Sequence, residues 1–402
     1  MSDTGSTPAP DGSSSPPAGT VIPQAGEIRS ARIESLRAIA ALAVLVGHVV
    51  AESRALGATQ TTATGLPLVE RVLFGGGYGV FFFFALTGYL LYWPFARRYY
   101  GGGATVELRR YAMNRALRIL PLYYAVIFVV LVFGAAVSAG TWIRFLTFTQ
   151  SFSAATIGTV DGPAWSLVVE VQFYVLLPLL ALALARVGGG SARRAALLLG
   201  ALALISLAFR QHYIYAPDFA PPIWRMNMPT TFLFFVPGML LAIARVELEE
   251  HRPPWLRGGL LRADLWLLAT VPLWVLLIGV SYDLDWLLCV AAFLTIGACV
   301  LPLRPGPLVR ALEWRPLAAL GVASYSLYLW HVPVLELLLS HLSAPTSVAG
   351  LAAVGVPVAI GVAAVSYLTI ERPFLRRRRQ WSSASAPSAA AQAPSAAGRV
   401  PS

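Results

Sequence analysis

The chain of 402 residues is strongly apolar: 57% of its residues are hydrophobic, only 12% are charged, and the mean hydropathy is +0.67. These values lie outside the range of soluble domains and predict a protein embedded in a lipid bilayer. All 30 basic residues are arginines, so the formal net charge of +11 is the same at any physiological pH.

The two ends of the chain differ from the rest in composition. Residues 1–28 are rich in Ser, Pro and Gly, and residues 377–402 begin with arginines and continue in Ser, Ala and Pro. Such segments bury too little apolar surface to fold, so we expect two disordered cytoplasmic tails. The first tail has neither a basic start nor an apolar core, so it does not read as a signal peptide. We therefore expect residues 29–376 to form one transmembrane domain.

Between the tails, about ten apolar segments reach the length that spans a bilayer. They cover roughly 38–55, 78–93, 119–136, 165–185, 195–209, 229–244, 265–280, 286–301, 317–339 and 348–370. The predicted fold is therefore all-α, an integral membrane protein with about ten transmembrane helices. An even number of spans places both termini on one side of the membrane.

The arginines select that side as the cytoplasm. With cytoplasmic termini, only five arginines fall outside: Arg54, Arg71, Arg144, Arg210 and Arg225. The excess of arginine inside is what the positive-inside rule requires. The sequence thus predicts a multi-pass protein of the plasma membrane.

The first span, within "RIESLRAIAALAVLVGHVV", carries an arginine and a histidine on one helical face. Arg37 and His48 are eleven residues apart, which is three turns and about 20°, or roughly 16 Å along the axis. If Arg37 lies at the cytoplasmic boundary, His48 lies about halfway through a hydrocarbon core roughly 30 Å thick. A histidine at that depth either hydrogen bonds between helices or belongs to a functional site.

Two later spans also contain ionisable residues. Glu170 lies in the fourth span, and His331 and Glu336 lie in the ninth. Ser324, Tyr328 and His331 recur on one face of that helix. Buried ionisable groups are costly and face a cavity or one another, although a structural hydrogen-bond ladder is the alternative interpretation.

Cys289 and Cys299 fall in one predicted span without companions at metal-ligand spacing, so we expect neither a disulfide nor a metal site. The chain contains none of the common phosphate-loop, dinucleotide, zinc-protease or nucleophile-elbow motifs.

Six motifs in chain order resemble the membrane-bound acyltransferase 3 family. They are the Arg37-to-His48 spacing, "GVFFFFALTGYLL", "NRALRILPLYY", "PAWSLVVEVQFY", "SYSLYLWHVPVL" and "IERPF". The resemblance covers about Arg29 to Arg376. It implies a multispan enzyme that moves acyl groups onto extracytoplasmic or membrane-accessible hydroxyls, here in the form without an additional SGNH-type domain.

The resemblance assigns residues one by one. The family's arginine–histidine pair falls on Arg37 and His48, and its R-x-x-R motif on Arg115 and Arg118. Its tryptophan–serine–glutamate element and its late tyrosines and histidine correspond to Trp165, Ser166, Glu170, Tyr325, Tyr328 and His331.

Two positions depart from the family pattern. Val171 replaces a second glutamate, which leaves Glu170 as the single carboxylate there, and Thr87 replaces a serine but keeps its hydroxyl.

The resemblance implies an acyl-CoA, most simply acetyl-CoA, as co-substrate, with no permanently bound cofactor and no metal. Arg37, Arg115 and Arg118 are expected to bind it, because arginine grips phosphate in two-pronged hydrogen bonds. His48 is expected to act as general base, or to carry the acyl group transiently. Glu170 is expected to orient the imidazole, and Trp165, Ser166, Tyr328 and His331 to support the site.

The sequence therefore predicts an integral membrane O-acyltransferase that modifies a hydroxyl of a cell-surface or secreted glycan. Two alternatives remain: acylation of a glycosylated small molecule such as a macrolide, and a non-catalytic transporter or flippase, for which buried His, Glu and Arg would line a pathway. The absence of a visible internal repeat argues against the transporter. The lipid bilayer is an expected partner and nucleic acid is not.

Overall fold

The computed structural model describes residues 25–54, 65–134, 137–215, 226–250, 262–279 and 284–377, and this part of the chain is almost entirely helical. The predicted tails lie outside the described residues, except that residues 25–28 belong to the first helix and Arg377 ends the last one. The all-α prediction is confirmed for the described residues, in which the sole β-bridge joins Arg262 and Arg304.

Sixteen helices can be numbered within these ranges. They are α1 Ala25–Ser53, α2 Leu68–Phe74, α3 Gly79–Tyr100, α4 Leu108–Phe133, α5 Ala139–Leu146, α6 Trp165–Val187, α7 Ala192–Tyr215, α8 Met228–Thr231, α9 Val236–Glu250, α10 Ala263–Leu268, α11 Val271–Gly279, α12 Leu287–Val300, α13 Pro307–Ala311, α14 Arg315–Val322, α15 Ser324–His341 and α16 Val348–Ser366. A π-helical segment, Tyr367–Glu371, continues α16.

The predicted count of about ten spans is not confirmed. Among the described residues, six helices are long and apolar enough to cross a membrane, or eight if each of two bent pairs counts as one span. The six are Ala31–Ser53, Leu68–Tyr100, Leu108–Phe133, Gly162–Val187, Ala192–Tyr213 and Val348–Arg377.

Two of the predicted spans are represented by shorter apolar helices, Ala263–Gly279 and Leu287–Val300. Apolar composition alone cannot separate a short buried helix from a spanning one, because both are hydrophobic on every side. The shortfall in length is therefore visible only in the structure.

Large apolar side chains on the outside of the bundle fit a bilayer environment. Phe128 and Phe133 on α4, and Val175 and Leu179 on α6, are all more than half exposed. A soluble protein rarely leaves a large contiguous apolar surface uncovered, whereas lipid solvates it without cost.

Helices α3 and α9 pack in direct backbone contact through a pair of glycines. A Cβ atom placed on Gly88 would overlap the carbonyl oxygen of Phe235, and one placed on Gly238 would overlap that of Ala85. Small residues at facing positions let membrane helices approach closely and gain dispersion contacts. The close approach fixes α3, which supplies one wall of the cavity described below.

A sharp break between α14 and α15 shapes the interior of the bundle. The two helices meet at Ala323 and differ in direction by 70°. The break places the first turn of α15 inside the protein, where Ser324 and Tyr325 are buried.

Candidate active site

Five helices, α1, α3, α4, α6 and α15, enclose a cavity of about 100 Å³. Its polar lining comes from nine of the residues identified in the sequence and from one other, Tyr174. These residues are Arg37, Thr87, Arg115, Arg118, Ser166, Glu170, Tyr174, Ser324, Tyr325 and Tyr328. Three guanidinium groups and one carboxylate thus share one small space, which gives the lining an excess of positive charge.

Arg118 is anchored by a residue whose role the sequence did not predict. Its Nη1 forms a buried ion pair with Glu371, and the other carboxylate oxygen of Glu371 accepts a hydrogen bond of 2.9 Å from Ser326 Oγ. The guanidinium also lies over the ring of Tyr325, 5.5 Å from its centroid. Charge, hydrogen bonds and ring contact therefore fix Arg118 at the cavity wall.

Glu371 belongs to the "IERPF" motif, which had contributed to the resemblance without a role for its glutamate. It ends the π-helical segment, and its side chain is 2% exposed. Single π-helical turns are rare and are found frequently at functional sites. The sequence signal was thus present, but only the structure shows that it concerns Arg118.

Arg115 and Arg37 are held less tightly than Arg118. The Nε of Arg115 is buried and has no hydrogen-bond partner among the described residues. Arg37 Nη1 lies 3.6 Å from Glu34 Oε2, one helical turn away. Since a buried guanidinium donor without an acceptor is costly, Arg115 is the arginine best placed to receive an anionic or carbonyl group.

The carboxylate of Glu170 is paired with the hydroxyl of Thr87. Thr87 Oγ1 donates a hydrogen bond of 2.7 Å to Glu170 Oε1, across α3 and α6. Thr87, which stands where the family pattern has serine, therefore keeps a hydroxyl contact that valine or alanine would lose. Val171, at the other departing position, lines a groove between α4 and α6 instead.

The hydroxyl groups of Ser166 and Tyr328 meet in the lining of the cavity. Their hydroxyl oxygens are 2.7 Å apart, and both approach the carbonyl oxygen of Pro163, at 3.0 and 3.2 Å. Trp165 is outside the lining and packs edge-on against Phe84, with ring centroids 6.1 Å apart.

His48 and His331 form a pair directly beyond Tyr328. His331 Nε2 lies 3.3 Å from His48 Nδ1, and the ring centroids are 4.8 Å apart at an interplanar angle of 73°. The ring of Tyr328, which lines the cavity, has its centroid 5.7 Å from that of His331. Tyr328 therefore connects the cavity with the histidine pair.

The backbone contacts of the two imidazoles determine where their protons lie. His48 Nδ1 is 2.9 Å from the carbonyl oxygen of Val44, and His331 Nδ1 is 2.6 Å from that of Tyr328. A carbonyl oxygen only accepts, so each Nδ1 carries a proton and each Nε2 of the neutral rings is unprotonated. His331 Nε2 turns its lone pair to His48, and His48 Nε2 keeps a lone pair that neither contact uses.

The predicted residues therefore fall into two adjacent groups, the cavity lining and the histidine pair. Arg37, Arg115, Arg118, Ser166, Glu170 and Tyr328 line the cavity, whereas His48 and His331 lie next to it. The side-chain partner of His48 is His331, while Glu170 hydrogen bonds with Thr87.

Comparison with known proteins identifies related sequences. The family described as an acyltransferase domain, acyltransferase 3, matches residues 30–370. A protein of Bacillus subtilis (strain 168) named as a peptidoglycan O-acetyltransferase, YrhL, is 26% identical over 350 residues, which are 77% of this chain and 54% of that protein. The chain thus spans about half the length of this relative. No solved structure matches this chain.

Proposed function

Because the chain belongs to the acyltransferase 3 family, we propose that it is a membrane O-acetyltransferase that uses acetyl-CoA to acylate a hydroxyl of a cell-surface glycan. The observation that carries this proposal is that Tyr328 lines one cavity together with three arginines and also contacts the histidine pair. The name of the relative supports a peptidoglycan-like acceptor.

The donor would approach from the arginine-rich side, which the positive-inside rule assigns to the cytoplasm. Arg115, with its unpaired buried Nε, and Arg37 would bind anionic or carbonyl oxygens of the thioester. Arg118 would contribute positive charge from a fixed position, because Glu371 and Tyr325 restrain it. These contacts would direct the thioester toward the Tyr328 end of the cavity.

The acceptor hydroxyl would approach the histidine pair from the opposite side. In the transfer step its oxygen bonds to the thioester carbonyl carbon while its proton moves to His48 Nε2. The C–S bond then breaks, and the departing sulfur of coenzyme A takes the proton, which restores neutral His48. Attack by His48 Nε2 itself, with an acyl-imidazole as intermediate, is the competing route.

Sealed vesicles of known orientation test the proposal. Acetyl-CoA labelled in the acetyl group is supplied on one face and an oligosaccharide acceptor on the other. Labelled product should form only when acetyl-CoA is on the face that carries Arg109 and Arg110 and the acceptor is on the opposite face. Product formed with both substrates on the arginine face would contradict transfer across the membrane and would favour a cytosolic acceptor.

A further inference from the structure

The segment between α5 and α6 buries polar side chains that the proposed reaction has not used. Gln150, Ser151 and Asp161 are all at most 2% exposed. Both carboxylate oxygens of Asp161, the amide oxygen of Gln150 and the hydroxyl of Ser151 have no hydrogen-bond partner among the described residues. Three hydrogen-bond acceptors and one hydroxyl therefore lie buried and unmatched in one segment.

Asp161 carries the largest part of this imbalance. Burial raises the pKa of Asp161 well above its usual range, and the negative charge of Glu336 raises it further. A buried acceptor without a donor is unfavourable, and such groups are few in folded proteins. A site at which a ligand supplies the missing donors accounts for both carboxylate oxygens.

This segment adjoins the end of the cavity formed by Ser166 and Tyr328. Asp161 directly precedes the short helical turn Gly162–Ala164, and the carbonyl oxygen of Pro163 in that turn receives the two hydroxyls. Gln150 Nε2 donates to Tyr123 Oη at 3.2 Å. Asp161 thus lies two residues along the chain from the carbonyl group that Tyr328 contacts, so the unmatched acceptors adjoin the part of the cavity formed by Ser166 and Tyr328.

We infer that Asp161, assisted by Gln150, binds hydroxyl groups of the acceptor sugar beside the histidine pair; this inference rests on the proposed function. The chemistry of the unmatched atoms defines the ligand class. The hydroxyl groups of a sugar both donate and accept hydrogen bonds, so they can pair with either oxygen of the Asp161 carboxyl group and with the amide oxygen of Gln150.

The test uses the full-length protein in detergent or vesicles, with an oligomer of N-acetylglucosamine as the acceptor probe. Asp161→Asn keeps the size of the side chain but replaces one acceptor oxygen by a donor. It should raise the KM for the oligosaccharide by about tenfold, because one hydrogen bond to the sugar is lost, and leave the KM for acetyl-CoA unchanged. The control is Glu70→Gln, since Glu70 is already paired with Arg54.

Thermal stabilisation by the oligosaccharide without acetyl-CoA separates this inference from the proposed function. Wild-type protein that is stabilised by the sugar but does not acylate it would contradict the proposed function alone. Equal stabilisation of wild type and Asp161→Asn, or none of wild type, would overturn the inference. A parallel rise in both KM values would also overturn it, because a structural role affects both substrates. If Asp161→Asn does not accumulate, Gln150→Leu provides the same comparison.

Discussion

His331 presents an unprotonated Nε2 to His48 Nδ1 at 3.3 Å. The proton on His48 Nδ1 therefore faces two acceptors, His331 Nε2 and the carbonyl oxygen of Val44. This contact fixes the tautomer of His48 and leaves its Nε2 as the basic nitrogen. In many sites a carboxylate orients the catalytic imidazole, and here a second imidazole has that position. His331 therefore fixes the orientation of His48 without adding a negative charge.

Replacement of His48 by alanine should reduce transfer about 10²- to 10⁴-fold, the usual contribution of a general base. Expression and membrane insertion should be unchanged, since an apolar residue is well tolerated at this depth. His331→Ala should give a smaller loss, because His48 retains its bond to Val44. Turnover of purified protein in vesicles measures both effects. His341→Ala is the control, because His341 is an exposed residue of the helix that carries His331. Near-normal turnover of His48→Ala would contradict the assignment of His48 as general base.

Removal of the carboxylate that holds Arg118 should cost more in stability than removal of an exposed acid. Glu371→Gln leaves the guanidinium without its buried partner, a change that costs about 3–5 kcal/mol in buried ion pairs. Thermal unfolding in detergent measures the loss. The side chain of Glu249, which pairs with Arg245, is 43% exposed. Glu249→Gln should therefore change stability little. An equally small effect of both substitutions would show that the Arg118–Glu371 pair does not support the fold.

Arg115→Lys should raise the KM for acetyl-CoA, because lysine retains the charge but lacks the planar fork of donors. Arg110→Lys, at an exposed position of the same helix, should leave the KM unchanged. Steady-state kinetics at fixed acceptor concentration checks both variants. An unaltered KM for Arg115→Lys would limit this arginine to a role in topology.

Thr87→Val should lower the turnover rate, because it removes the hydroxyl that donates to Glu170 and leaves a half-buried carboxylate without that bond. A hydrogen bond to a carboxylate contributes about 1.5–3 kcal/mol of free energy, which its loss removes. Thr87→Ser restores the donor and should retain activity. Equal activity of the valine and serine variants would separate Glu170 from the reaction.

The glycine contact between α3 and α9 should tolerate no side chain. Gly238→Ala forces the helices apart, because its Cβ would overlap the backbone of α3, and overpacking of this kind costs about 1–3 kcal/mol. The apparent melting temperature in detergent should fall by several degrees. Gly279→Ala, at a helical glycine with open space around it, should leave the melting temperature unchanged or raise it.

The sequence predicted most of the polar lining of the cavity. Glu170 and Tyr328 stood out as polar residues in apolar helices, whereas Arg115, Arg118 and Ser166 were assigned through the resemblance to the family. It could not predict the partner of His48, since the position of a residue along its helix does not show which neighbouring helix it faces. It also missed the break at Ala323, because the two helices on either side of it together have the length and hydropathy of one span. The role of Glu371 could not be predicted, because the sequence does not show that the segment after α16 lies next to Arg118.

That break at Ala323 also adds an electrostatic contribution from the main chain. The free N–H groups of the first turn of α15 carry partial positive charge, and Ser324 and Tyr325 of that turn line the cavity. A half-helix that begins inside a membrane protein is a common means of binding an anionic group. An anion in this cavity would thus be stabilised by peptide dipoles as well as by guanidinium groups. Because no side-chain substitution removes those dipoles, a variant that lacks one arginine should retain measurable affinity for the donor.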